Sequence, residues 1–427
     1  MNFELKWSIL FLEGGIYMNW DLIPRNNYLD FLIRNRDLKI IKVITGVRRC
    51  GKSTLFTLFK QYLLANAISK EQIIDINFES IDFDNLLDYK ALHQYILDKT
   101  TSDKMHYIFL DEIQHVDKFE RVVNSLFLKD NLDIYITGSN AYFMSGELAT
   151  LLTGRYVELN MLPLSFKEYV YGLEILESKN TINKLTLAEK YNLYINNSSF
   201  PFVINIMDRP ESINEYLQGI YNTILVKDVM TRLRVNDVKI LESITKYLFA
   251  NVGSLLSPRK IANTMTSAGR KVDPKTVERY LQGLKDSLLI YQANRYNIKG
   301  KELLKINSKY YIADVALRYL LTGNKGTDTG HMLENIVYLE LIRRGYKVYV
   351  GELSNGEIDF VVENKNGTEY YQVSETTLDP NTLNRELAPL QSIKDQYPKY
   401  LLTLDEIAPE ADYNGIRKLN VLKWLLS

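Results

Sequence analysis

An α/β fold built on a parallel sheet, followed by a helical region and a second, smaller α/β module, is what this 427-residue sequence predicts. Three observations predict it. Short apolar strands alternate with helical segments over residues 39–137, the arrangement of a parallel sheet covered on both faces. Gly46-Val47-Arg48-Arg49-Cys50-Gly51-Lys52-Ser53 follows the first of these strands and opens a helix. After residue 330 a helix leads into a new series of strand patterns.

In chain order, residues 27–37 have helical spacing, and the β-branched run 39–45 ends at Gly46. Leu55, Phe56, Leu58, Phe59, Leu63 and Leu64 give the next helix an apolar face. Residues 73–78 read as a strand, 85–98 as helical, 107–110 as a strand, 119–128 as a helix and 134–137 as a strand. From Pro163 to about 236 the pattern is helical and rich in tyrosine, as suits a lid or connector. Ser257-Pro258 and Asp273-Pro274 each set a capping residue before a proline, so two short helices start there. The second runs into 289–291 and, past Lys299-Gly300-Lys301, into 310–312, a winged-helix outline. A polar joint over 324–329 precedes a helix at 332–343 and strands at 347–350, 357–362, 370–374 and 400–403.

Composition narrows the class. Hydrophobic residues make up 46% and charged ones 24%, as in a soluble globular protein. Lys+Arg and Asp+Glu are both 52, so any basic surface is local. The single cysteine, Cys50, excludes a disulfide framework or a Cys-based zinc site and suits a reducing, cytoplasmic setting. No run of about 18 apolar residues occurs, so no membrane span is expected. Residues 1–17 read as an upstream start or a loose arm.

Gly46 to Ser53 satisfies G-x-x-x-x-G-K-[ST] in its required setting between strand and helix. The glycines let backbone N–H groups face a phosphate chain, and the helix dipole favours negative charge there. On this reading Gly46, Val47, Arg48, Arg49, Cys50, Gly51, Lys52, Ser53 and Thr54 cradle ATP, with the Arg48 and Arg49 side chains facing solvent or a partner domain as the favoured alternative to phosphate contact. Lys52 reaches the β- and γ-phosphates, and the Ser53 hydroxyl ligates Mg²⁺. Asp111 ends a strand where a second group for the Mg²⁺ shell belongs, and Glu112 is placed to orient or deprotonate the attacking water. Ordinary helix capping uses such a pair too. Hydrolysis therefore rests on Glu112. Thr137-Gly138-Ser139-Asn140, with Ser139 as the residue singled out, supplies polar groups at the edge where a γ-phosphate would lie, although a tight turn asks for the same residues. Arg155 offers a guanidinium for phosphate, in cis or toward a neighbouring subunit of a homo-oligomer, and an ordinary surface arginine fits that position equally.

Residues 251–310 hold 12 Lys/Arg against 4 Asp/Glu, a local net of +8. Lys275, Thr276 and Arg279 on a candidate reading helix, with Lys299 and Lys301 on the wing, have the footprint of a double-stranded DNA binder. Protein docking uses the same outline. Glu334, Asp359 and the 372–374 strand copy the layout of a restriction-type nuclease core, where carboxylates bind Mg²⁺ and the lysine of Glu-x-Lys helps activate water. Gln372 and Ser374 stand in place of that acid and lysine, so an inactive core kept for binding or assembly is expected. His93, His106, His115 and His331 lack metal-ligand spacing.

Taken together, these residues resemble the prokaryotic AAA-type ATPases that carry a C-terminal nuclease-like domain of unknown function. The segments that carry the resemblance are 44–53, 109–114, 137–139, 152–155, 163–169, Phe200-Pro201, 309–311, Asp314, Glu334-Asn335, 357–360 and Arg385-Glu386. It implies a P-loop AAA-type parallel sheet that binds and hydrolyses ATP, a helical and winged-helix region, and a small α/β restriction-nuclease-like C-terminal domain. The expected division is an N-terminal extension over 1–21, the ATPase domain over 22–162, a helical connector over 163–236, a winged-helix-like domain over 237–322 and the C-terminal domain over 323–427. The different-class alternative is a DNA-binding regulatory or defence-type module whose ATP site governs assembly with little turnover.

Overall fold

The computed structural model describes residues 23–138, 152, 154–235, 237–323, 329–354 and 356–427. The 1–21 extension, Ser139 and residues 324–328 of the polar joint lie outside them. The chain divides into two compact units, one running to Gly46 and from Gly51 to Met161, the other comprising Val47–Cys50 and Leu162–Ser427.

The first unit is a five-stranded sheet of β1 (Ile41–Gly46), β2 (Ile73–Asn77), β3 (His106–Asp111), β4 (Leu132–Gly138) and β5 (Tyr156–Met161), in the order β2-β3-β4-β1-β5. All four pairings are parallel. Every residue of β1, β3 and β4 is buried, as strands covered by helices on both faces must be. Phe109 of β3 stacks on Tyr135 of β4 with ring centroids 4.9 Å apart, and Phe56 and Phe59 of helix Lys52–Ala65 pack against that pair. Ile108, Leu110, Ile134 and Ile136, one residue out of phase, share the opposite core with Leu92 and Ile96 of helix Tyr89–Asp98 and Val122, Val123 and Leu126 of helix Phe119–Phe127. Each such side chain contributes about 2 kcal/mol of burial. Asp88 caps helix Tyr89–Asp98 by accepting from the Lys90 and Ala91 N–H groups, both at 3.0 Å. β5, absent from the expected elements, is the sheet-edge strand. Its Tyr-Val-Glu-Leu-Asn run is only half-buried and lacks the apolar density that marks the central strands.

The second unit begins with helices Phe166–Ser178, Leu187–Asn197 and Pro210–Thr223, the last passing into a π-helical stretch, Ile224–Met230. Ser165-Glu168 and Thr186-Glu189 form capping boxes on the first two. As expected, Ser257 caps helix Pro258–Ser267 and Asp273 caps helix Pro274–Asp286. The antiparallel hairpin β7 (Ile290–Asn297) and β8 (Glu302–Ile312) follows. Its strands do not stop at a separate module. β7 pairs in parallel with β9 (Lys347–Leu353), so the regions over 237–322 and 323–427 share one nine-stranded sheet. The other members are β6 (Leu255–Leu256), β10 (Gly356–Asn364), β11 (Gly367–Ser374), β12 (Lys399–Thr403), β13 (Ala411–Tyr413) and β14 (Ile416–Asn420). Helix Thr329–Arg343 packs on this sheet, and Asn335 fastens it to β8 by accepting from the Ile312 N–H at 2.8 Å and donating to the Ile312 carbonyl at 3.0 Å. Gly351 is required where it stands, because a Cβ there would meet Val361, Ile298 and Ile358 at 2.7–3.0 Å. Among the described residues no helix is long and apolar enough to cross a membrane.

Candidate nucleotide-binding site

Gly46 is the last residue of β1 and Lys52 the first of the helix that follows, with Gly51 as its N-cap at φ 106°. That left-handed conformation favours glycine. Gly51 has no side chain with which to cap the helix, and a helix N-terminus of this kind favours an anionic ligand. Lys52 is buried. Its ammonium lies 3.2 Å from the Gly46 carbonyl and 3.3 Å from Glu112 Oε1.

β3 brings Asp111 and Glu112 to the same end of the sheet. The Thr137 hydroxyl donates to Asp111, and the Ser53 hydroxyl lies close enough to favour its charged form. Burial pushes the Asp111 carboxyl above its ordinary range, opposed by those hydroxyls and by Lys52 and helped by the Glu112 charge. Glu112 has left-handed backbone at φ 55°, a conformation that a non-glycine residue adopts only when its surroundings impose it. Here the Glu112 N–H donates to Thr137 Oγ1 at 2.9 Å, while the Gln114 amide donates to its carboxylate.

The residues fit Mg²⁺-nucleotide by their donor chemistry. A hydroxyl and a nearby carboxylate at the end of a phosphate-binding loop offer one or two hard oxygen ligands, and Mg²⁺ would take the rest from phosphate and water. Accordingly, among the described residues no group of three or more His, Cys, Asp or Glu could hold a metal ion by itself.

Other expected residues fall elsewhere. Ser139 lies outside the described residues, and the polar group that β4 does bring to the carboxylates is Thr137, on the same strand end. Arg155 requires a correction to its role in cis. It immediately precedes β5, where Tyr156 pairs with Ile41 at the start of β1, whereas Gly46 at the loop pairs with Met161. Five residues of parallel strand, about 16 Å, therefore separate it from the loop. Its guanidinium lies exposed over the Phe127 ring, 5.3 Å from the centroid. Arg48, grouped with the second unit, makes a two-pronged ion pair with buried Asp228 of the π-helical stretch, at 2.8 and 2.9 Å, and Arg49 is exposed. Gln114 and Thr137 join the site although the sequence singles out neither as a site residue; Thr137 opens the 137–140 turn read as supplying polar groups, and both fall in the segments that carry the resemblance.

In the basic region, Lys275, Arg279, Lys299 and Lys301 are exposed. Three of its cations are withdrawn: Lys309 is buried among carboxylates, Arg295 pairs with Glu352 at 2.7 Å, and Lys285 is half-buried against Gln292 at 2.8 Å. In the C-terminal module, Glu334 and Asp359 are brought together around Lys309. Gln372 accepts from the Asp359 N–H and donates to Glu386, while Ser374 turns away to the Thr376 carbonyl.

Comparison with known proteins gives the family. Residues 39–170 match the model of an AAA domain, and residues 188–328 match a domain of unknown function (DUF8612). An uncharacterized protein of Haemophilus influenzae is 41% identical over 96% of this chain and 100% of its own length. One of Methanocaldococcus jannaschii is 33% identical over 80% of this chain and 78% of its own. The Walker-type ATPase of Pyrococcus abyssi superposes with a TM-score of 0.51, at 15% identity, over 73% of this chain and 99% of that one, which establishes likeness of fold. The chain belongs to a prokaryotic family of AAA-type P-loop ATPases with a domain of unknown function C-terminal to the ATPase sheet, shared with the Haemophilus and Methanocaldococcus proteins.

Proposed function

We propose that this protein is a cytoplasmic, Mg²⁺-dependent ATPase that couples its nucleotide state to a basic DNA-binding module and to a nuclease-like domain without nuclease activity. The observation that carries the reading is the convergence of Lys52, Ser53, Asp111 and Glu112 at one helix N-terminus capped by glycine. In this reading Lys52 moves from Glu112 to the β- and γ-phosphates, while Ser53 and Asp111 would hold Mg²⁺, which would neutralise phosphate charge. Glu112, freed from the lysine, orients a water and accepts its proton as the oxygen attacks the γ-phosphorus and the bond to the bridging oxygen breaks. Arg155 serves a neighbouring copy of the chain in a homo-oligomer, since its own loop is out of reach. The exposed Lys275, Arg279, Lys299 and Lys301 take duplex phosphates, in keeping with a winged-helix arrangement of residues 251–310.

A second reading has an observation behind it as well. The Glu112 carboxylate is already engaged by Lys52 and Gln114, which suits an ATP site that gates assembly with little turnover. Equilibrium binding of ATP tests what the two readings share. Affinity should need Mg²⁺, fall by at least about a hundredfold in Lys52→Ala, and lose its Mg²⁺ dependence in Ser53→Ala. Binding unaffected by Lys52→Ala would overturn both.

A further inference from the structure

The pocket where a restriction-type core would carry its metal ion contains the protein's own cation. Lys309 projects from β8, is 3% exposed, and places its ammonium 3.0 Å from Glu334 Oε1 and 2.9 Å from Glu357 Oε1, with Asp359 Oδ1 at 3.9 Å. The carboxylates are held around it. Tyr311 donates to Glu334 Oε1 at 2.6 Å, and the Val373 N–H donates to Asp359 Oδ2 at 2.9 Å. Asp359 lies where the register of β10 against β9 shifts, an irregularity that re-aims side chains. These residues do not fit a divalent ion with the lysine present, since a second cation would meet the ammonium at bonding distance. The pattern of the neighbouring strand agrees, because Ser374 leaves no lysine beside the pocket and Gln372 spends its amide on Asp359 and Glu386.

We propose that Lys309 is the resident cation of this pocket, so that the C-terminal module works without a divalent ion and the β7–β8 hairpin is fastened to it by charge. The electrostatics point the same way. Burial alone would lower the Lys309 ammonium and raise Glu334, yet mutual attraction holds Lys309 above its ordinary value and Glu334 below its own. Burial, with the Glu334 charge beside it, pushes Asp359 upward. Taking the lysine away removes the cation held between buried Glu334 and Asp359 and leaves the half-exposed His331, 3.6 Å from Glu334 Oε2, as a basic neighbour; that loss is costly, and carboxylate oxygens so placed suit a hard cation.

The experiment is Mn²⁺ titration of the full-length protein without nucleotide, in a Ser53→Ala background that silences the loop site, followed by calorimetry and thermal unfolding. The parent should show no stoichiometric Mn²⁺ site. Lys309→Ala should lower the melting temperature, bind Mn²⁺ at least about tenfold more tightly than the parent, and recover stability as Mn²⁺ is added. Adding Glu334→Gln should remove that gain, and Lys309→Arg should need no metal. If Lys309→Ala does not fold, Lys309→Met keeps the stem's packing and serves instead. Two results would overturn the proposal: a Mn²⁺ site in the parent that Glu334→Gln abolishes, or a folded Lys309 variant that neither loses stability nor gains metal.

Discussion

The Lys52 ammonium lies 3.3 Å from Glu112 Oε1, and both side chains are nearly excluded from water. Each charge is thus partner to the other, so removing one leaves its mate buried, at a cost of about 3 kcal/mol. Lys52→Met and Glu112→Gln should each lower thermal stability in the absence of nucleotide, and the double variant should lose less than the sum. A thermal-unfolding double-mutant cycle measures this coupling. Strict additivity would show that the two groups do not interact.

Thr137 links the two acids, since its hydroxyl donates to Asp111 and accepts from the Glu112 N–H. Thr137→Val keeps the shape and loses both bonds, releasing the strained Glu112 backbone. Turnover should fall by about tenfold to a hundredfold, the equivalent of one or two hydrogen bonds, with little change in ATP affinity. Thr137→Ser should restore most of it. Steady-state kcat and KM for the three forms decide the matter.

Acid stability should depend on Asp405. Burial would raise its carboxyl, but Lys418 Nζ at 2.8 Å and the Thr376 and Thr377 hydroxyls outweigh this and hold it at about 2. Because the folded value is depressed, its contribution is present above the unfolded value near 4 and is lost as pH falls toward 2. That contribution is about 2 kcal/mol. Melting temperatures between pH 6 and pH 2.5 should drop less steeply in Asp405→Asn than in the parent.

Duplex DNA binding should be salt-dependent and carried by the exposed basic side chains. Neutralising Lys275 or Arg279 should weaken it across unrelated sequences and lower the salt slope by about 0.9 for each phosphate that then goes unneutralised. Lys285→Ala should leave the slope unchanged, because that side chain is turned toward Gln292. Fluorescence anisotropy over a salt series provides the comparison.

The loop and its carboxylates were legible in the sequence because each is written in consecutive residues. Gly46 to Ser53 and Asp111-Glu112 sit at strand ends, and apolar runs locate strand ends well. What could not be read depends on pairing across the chain. β5 is half-buried and carries no apolar run, yet its register with β1 is what puts Arg155 at the opposite end of the strands from the loop. Helix Pro380–Ser392 hides behind the proline at 389. Lys309 counted as one more positive charge in a basic stretch, because nothing local says that residues 25, 48 and 50 positions later will close around it.

The most direct test is Mg²⁺-dependent ATP turnover by the purified protein beside Lys52→Ala and Glu112→Gln. The ATPase reading predicts turnover in the parent, loss of both binding and turnover in Lys52→Ala, and retained binding with turnover reduced by at least about a hundredfold in Glu112→Gln. Tight ATP binding by the parent with no turnover above the Glu112→Gln level would contradict it and leave a nucleotide-gated binding protein.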